Sequence, residues 1–284
     1  MSERLSVRKT YKLFIGGAFP RSESGRTFAV NDAKGRFVAN AARASRKDVR
    51  DAVVAARKAQ SGWAGRTGYN RGQILYRVAE MLEGRHGQFV EELRATGLGK
   101  TAAAEQVEAA IDRWVWYAGW ADKVAQVTGS ANPVSGPFFN FSTPEPTGVV
   151  GVIAPDSPLL GLVSVIAPVI VTGNTVVVVA SESAPLPAIT LAEVLATSDL
   201  PGGVVNLLTG HRAELAPWLA SHQDVNALDL TGAPTDLATD CERAAADTLK
   251  RVHHPATDDW NTDPGTGRIT AFLETKTVWH PVGI

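Results

Sequence analysis

Cysteine is almost absent: Cys241 stands alone among 284 residues. A single thiol closes no internal disulfide, and no cysteine cluster is present to hold zinc. Charge of one sign is also lacking. Against 28 lysines and arginines stand 29 acidic residues, a formal net charge of −1. That balance argues against nucleic acid or an acidic membrane surface as a partner. Arg4, Arg8, Lys9 and Lys12 are too few to alter it and read as a solvated tail. No apolar segment of the signal-peptide kind opens the sequence, so a reducing, cytoplasmic setting is expected. Uninterrupted hydrophobic runs are short. Leu159 to Val171 is nearly all apolar, but Pro168 sits inside it, and Thr172-Gly173-Asn174-Thr175 parts it from Val176 to Ala180. Each piece is too short to cross a bilayer and reads as a buried helix followed by a buried strand.

What is present is enough apolar material for a real core, 44% of the residues. Leu13 to Gly17 reads as a short strand entering a turn. Ser45 with Asp48 three residues on forms a capping box, opening a helix through Val49, Ala52, Val53, Ala56 and Ala59. Ile74, Leu75, Val78 and Leu82 mark a second helix, and Phe89, Val90 and Leu93 a third that Gly97 and Gly99 end. A fourth places Val107, Ile111, Trp114, Val115 and Ala118 on one face, with Trp116, Tyr117 and Trp120 as packing aromatics.

Phe138 to Phe141 reads as a strand and Pro144-Glu145-Pro146 as a breaker. Beyond it, apolar strands without alternation are separated by helices. The strands are Val149–Ile153, Val176–Val179, Val204–Leu208 and Leu228–Leu230; the helices are Gly161–Val171, Leu186–Leu195 and Ala213–Ala220. Strands covered on both faces and joined by helices predict a doubly wound parallel sheet, an α/β fold. Pro234 then opens a helix with the stripe Leu237, Cys241, Ala245, Leu249 and Val252. A polar linker, His253 to Arg268, leads to a long closing strand, Ile269 to Trp279.

The run Glu145 to Pro155, EPTGVVGVIAP, resembles the opening of the nucleotide-binding domain in the aldehyde dehydrogenase superfamily. Ala167-Pro168, Thr172 to Val178, Glu182 with Pro185-Leu186, Leu200 to Asn206, Ser221 to Val225 and Leu230-Thr231-Gly232 follow in that family's order. Upstream, Leu13 to Gly17 and Tyr117 to Lys123 are similar too. Phe272 to Val278 resembles the family's last strand, which belongs to its oligomerisation flap. The resemblance implies a Rossmann-like nucleotide-binding region and, by residue, Glu182 and Gly210 as vestigial cofactor-binding positions.

The departures from the family are informative. After Pro155 the family has Trp-Asn-Phe, whose Asn amide helps hold an oxyanion; Asp156-Ser157 stand here, and a carboxylate there has the wrong sign. Val179 replaces the lysine that contacts the adenosine ribose. Arg212 and Ala216 replace glycines near the pyrophosphate, where a side chain blocks backbone approach. Only forty residue steps separate Gly232 from Phe272, an interval that in the family holds the whole catalytic domain with its Glu base and cysteine nucleophile. The chain therefore resembles non-catalytic relatives, such as the degenerate second module of family-sixteen aldehyde dehydrogenases.

Other chemistry is poorly supported. Cys241 sits on an apolar stripe and reads as a packed thiol. His253, His254, Asp258, Asp259 and His280 match no zinc spacing. Ser157-Pro158 reads as a helix cap, since no triad order or Gly-x-Ser-x-Gly accompanies it.

The expected organisation has five parts. Residues 1–137 form a helical part of the nucleotide-domain-like region, 138–147 a first flap strand, and 148–235 the parallel sheet. Residues 236–267 form a helix and linker replacing the catalytic domain, and 268–284 the C-terminal flap strand. The expected function is a pseudoenzyme with no catalytic or metal residues, no cofactor beyond weak NAD or NADP, and a homo-oligomeric or full-length aldehyde dehydrogenase partner docked through the last strand. The alternative is a residual or partner-dependent NAD(P)-binding oxidoreductase.

Overall fold

The computed structural model describes residues 9–255 and 259–283. Arg4, Arg8 and Asp258 lie outside them. Lys9 does not behave as a solvated tail: its ammonium lies 2.8 Å from Glu193, and its side chain is two-thirds covered.

The chain opens on a hairpin, β1 (Thr27–Asn31) with β2 (Phe37–Ala42), which the sequence reading passed over. Four helices follow: α1 (Arg46–Ala64), α2 (Gly68–Glu83), α3 (His86–Ala95) and α4 (Lys100–Trp120). The capping box that opens α1 is present in full. Ser45 Oγ accepts from Asp48 N–H, and Asp48 Oδ2 accepts from Ser45 N–H at 2.8 Å. In α4 the buried face differs by one position from the expected stripe. Trp114 and Tyr117 are wholly buried, whereas Val115 is exposed. The short α5 (Val124–Thr128) leads to β3 (Ser130–Asn132) and β4 (Phe138–Pro146).

The sheet region then runs β5 (Val149–Ile153), α6 (Leu160–Val171), β6 (Thr175–Val179), α7 (Leu186–Ala196), β7 (Val205–Leu208), α8 (Arg212–Ser221), β8 (Ala227–Asp229), α9 (Thr235–Ala246) and β9 (Arg251–His253). The five strands are parallel in the order β7-β6-β5-β8-β9. Every residue of β5, β6, β7 and β8 is buried, which explains why the strands do not alternate. One core cluster joins the sheet to α2, α3, α4, α6 and α7, and the other joins it to α1, α8 and α9. No helix among the described residues is long and apolar enough to cross a membrane.

The tail departs most from expectation. The apolar stripe of α9 ends at Ala245. Leu249 turns outward in a left-handed conformation, φ +53°, and is 93% exposed. Val252 and His253, expected on a helix and in a linker, lie in β9, which adds a fifth strand beside β8. The closing strand does not begin near residue 268. Gly267–Thr270 form the single-turn α10, and β10 spans Leu273–Pro281. The cause is burial: Arg268, Ile269 and Phe272 all turn into the body of the protein, which an extended, alternating strand would not allow.

β10 pairs antiparallel with β4, from Leu273↔Pro146 to Pro281↔Phe138, in a three-stranded sheet of order β10-β4-β3. Pro144 and Pro146 thus belong to a strand and break nothing. β3 pairs only as far as Ser142, so both prolines fall where β4 has an open edge, the place a strand tolerates them. Asn174 fastens this return to the large sheet. Wholly buried, it accepts from Gly148 N–H at 2.7 Å and donates to the Phe272 carbonyl at 2.9 Å.

Candidate cofactor cleft

In an open parallel sheet a ligand site lies beyond the carboxyl ends of the strands, where the strand order reverses. Here the chain runs outward from β5 through β6 to β7, then returns to the other side of β5 with β8. The crevice therefore lies between the segments following β5 and β8. Asp156 follows β5, Glu182 follows β6, Arg212 opens α8 after β7, and Gly232 follows β8.

These residues bond one another. Arg212 Nη2 forms a short ion pair with Asp156 Oδ1, and Nη1 donates to Asp156 Oδ2 at 3.3 Å and to the Gly232 carbonyl at 3.0 Å. Ser181 Oγ donates to Asp156 Oδ1 at 2.6 Å, and Ser183 Oγ at 3.2 Å. Arg212 is nine-tenths buried, so one guanidinium ties the ends of β5, β7 and β8 together across the crevice. Burial works to raise the Asp156 carboxyl. Hydrogen bonds from Arg212 and Ser181, with the guanidinium charge, outweigh it and hold the group below the usual carboxylate range.

The helix end is filled as well. Free N–H groups at the start of a helix attract phosphate. In α8 the Arg212 N–H donates to Glu182 Oε1, and His211 Nδ1 lies 3.3 Å from Glu182 Oε2. Glu182 thus caps its own chain. Gly210 has a packing reason to be glycine. It adopts φ +150°, and an added Cβ would lie 3.1 Å from Leu215 Cδ1 and 3.3 Å from Ala44 N. Gly232 presses closer still, its absent Cβ 1.9 Å from the Ala154 carbonyl. Val179 and Ala216 are both buried in the core against α1 and α8.

The sequence reading named Asp156, Glu182, Gly210 and Arg212 separately, and the structure brings all four to one crevice. It missed that Asp156 and Arg212 are partners, together with the roles of Ser181 and Ser183. The available signal was that two neutral positions of one crevice had acquired opposite charges. Cys241 lies elsewhere, on the buried face of α9, and burial pushes its thiol up to about 11. Ser157 Oγ accepts from Gly161 N–H at 3.0 Å in the first turn of α6, although the N-cap position itself is taken by Leu159. His254 pairs with Glu242 at 2.9 Å, and His253 packs edge-on against Phe272.

A doubly wound parallel sheet with this crevice and a glycine-and-acid helix entry defines a Rossmann-like nucleotide-binding region. Residues 19–254 match the sequence model of the Aldehyde dehydrogenase family, and the chain belongs to that family. The match includes α9 and β9. The chain is 35% identical over 249 residues to aldehyde dehydrogenase, cytosolic 1, of Elephantulus edwardii, covering 85% of this chain and 49% of that protein. Among solved structures, HpcC from Thermus thermophilus superposes with a TM-score of 0.82 at 33% identity, over 86% of this chain and 47% of its own. The NAD+ complex of an aldehyde dehydrogenase from Bacillus cereus gives 0.81 at 29% identity, over 86% and 50%. The chain thus spans about half the length of the relatives it matches.

Proposed function

We propose that this chain is a non-catalytic aldehyde dehydrogenase relative, similar to the degenerate second module of family-sixteen members. The interval from Gly232 to Phe272 is too short for the family's catalytic domain, and the chain acts as an assembly or regulatory partner. The observation that carries the reading is the Arg212–Asp156 pair spanning the crevice. A dinucleotide seated there would have to break an ion pair, displace the Arg212 bond to Gly232 and free Glu182 from the start of α8. Glu182 and Gly210 are on this reading vestigial cofactor positions now used for packing and capping. No useful NAD or NADP affinity is expected.

The organisation follows the same division. The described residues 9–137 and 148–235 make up the nucleotide-domain-like body, and β4 with β10 makes up the flap. α9 and β9 belong with the sheet, and only the segment from residue 255 to 267 stands where the family has its catalytic domain. The lone Cys241, buried and with a raised pKa, is unsuited to nucleophilic attack. The setting is cytoplasmic.

The partner is a second copy or a full-length aldehyde dehydrogenase, docked through β10. Among the described residues the outer edge of this nine-residue strand has no partner, and Phe138, Phe139 and Trp279 are exposed beside it. Two measurements test the reading: turnover of aldehydes and activated esters, and a fluorescence titration with NADH. Absence of both signals is expected; saturable NADH binding or turnover removed by Cys241→Ala would overturn it.

A further inference from the structure

A basic cleft of about 500 Å³ lies between the segment entering α1 and the first turns of α8. Arg26, Arg43 and Arg46 line it together with Glu214 and Trp218. Arg43 is paired with Glu214, its Nε 3.3 Å from Oε2. The Arg46 guanidinium carbon lies over the Trp218 indole, 4.1 Å from the ring centre. Among the described residues, the Arg26 guanidinium carries no hydrogen bond or ion pair. It still acts on Glu214: the Arg43 hydrogen bond first, then the charges of Arg43, His211 and Arg26, hold that carboxyl below its usual range. Three arginines and one carboxylate thus line the cleft, leaving it two positive charges in excess.

Like charges held together with one counter-charge between them favour a further anion. Guanidinium groups offer forked N–H donors matched to phosphate oxygens, and one face of an indole gives a flat apolar wall. The volume suits a small organic ligand. We propose that this cleft binds a phosphate monoester of a small planar molecule, with Arg26 and Arg46 on the phosphate and Trp218 against the ring. The site does not depend on the reading of the crevice, since none of Asp156, Glu182 or Arg212 lines it.

The test is calorimetry on the full chain with phenyl phosphate and with inorganic phosphate. Phenyl phosphate should bind saturably in the millimolar range or tighter, and at least about tenfold more tightly than inorganic phosphate. Arg26→Ala with Arg46→Ala should abolish the binding. Trp218→Ala should bring phenyl phosphate down to the level of inorganic phosphate. Equal binding of the two ligands in the native chain would overturn the planar-ring assignment. No saturable heat, or binding that survives the double arginine substitution, would overturn the site.

Discussion

Arg268 Nη1 lies 2.8 Å from Asp229 Oδ2, and the two side chains are 9% and 1% exposed. Arg268 comes from the return segment and Asp229 is the last residue of β8. Thr231 completes the group: its N–H donates to Asp229 Oδ1 at 3.0 Å, and its Oγ1 accepts from Arg268 at 3.0 Å. The Trp260 ring covers the guanidinium at 5.2 Å, and the Trp260 carbonyl accepts from Arg113 of α4 at 2.7 Å. A buried charge without its partner is costly, so this pair fixes where the segment after β9 must lie.

Removing one partner should therefore destabilise the protein strongly. Arg268→Ala or Asp229→Ala is expected to cost about 3–5 kcal/mol, because each leaves an uncompensated buried charge. The double substitution should cost clearly less than the two singles summed. Urea unfolding measures this. Single variants within about 0.5 kcal/mol of the native chain would mean the pair holds nothing.

Cys241 should be inert in the folded chain. It is fully buried, and burial pushes its thiol up to about 11, so at neutral pH almost no thiolate forms. Iodoacetamide should label it only after unfolding in urea, as mass spectrometry would show. Rapid labelling of the native protein would contradict this.

Glu92 supplies a pH dependence of stability. Burial raises its carboxyl above the ordinary range, against the bonds from Thr190 at 2.7 Å and Tyr11 at 3.0 Å. With a folded-state pKa above the unfolded value, the folded state binds more protons between the two. Stability contributed by this group is thus present below the unfolded pKa and lost as pH rises through the folded one. Glu92→Gln keeps an acceptor and removes the titration. It should raise the urea midpoint at neutral pH relative to native and flatten the dependence on the acid side. A lowered midpoint at neutral pH would refute this.

Association should run through the outer sheet. Light scattering is expected to give a dimer or larger for the intact chain, or capture of a full-length relative. Trp279→Glu with Phe139→Glu should weaken it, because both side chains are already exposed and the folded chain loses no core contact. Truncating after Thr266 would be a poorer test, since it also removes buried Arg268, Ile269 and Phe272. A monomer at tens of micromolar (roughly the range of weak association) that captures no relative would count against a docking role.

Much of the fold was legible because local chemistry and burial agreed. The Ser45–Asp48 box marked the start of α1, and unbroken apolar runs marked β5 to β8. The failures came where tertiary partners decide. Arg251-Val252-His253 is too short and polar to announce a strand; it is one because β8 lies beside it. Ile269 and Phe272 were expected in a strand; they turn inward beside Arg268, whose partner Asp229 lies 39 positions away. In the crevice each charged residue was visible singly, but their pairing depends on loops that only the folded sheet brings together.

The account rests on a crevice occupied by the chain's own side chains, and calorimetry with NAD+ tests it most directly. The native chain should give no saturable heat. Arg212→Gly with Asp156→Asn, which removes the guanidinium and the charge it pairs with, should give measurable binding with its fold intact by circular dichroism. Micromolar affinity in the native chain would contradict the account.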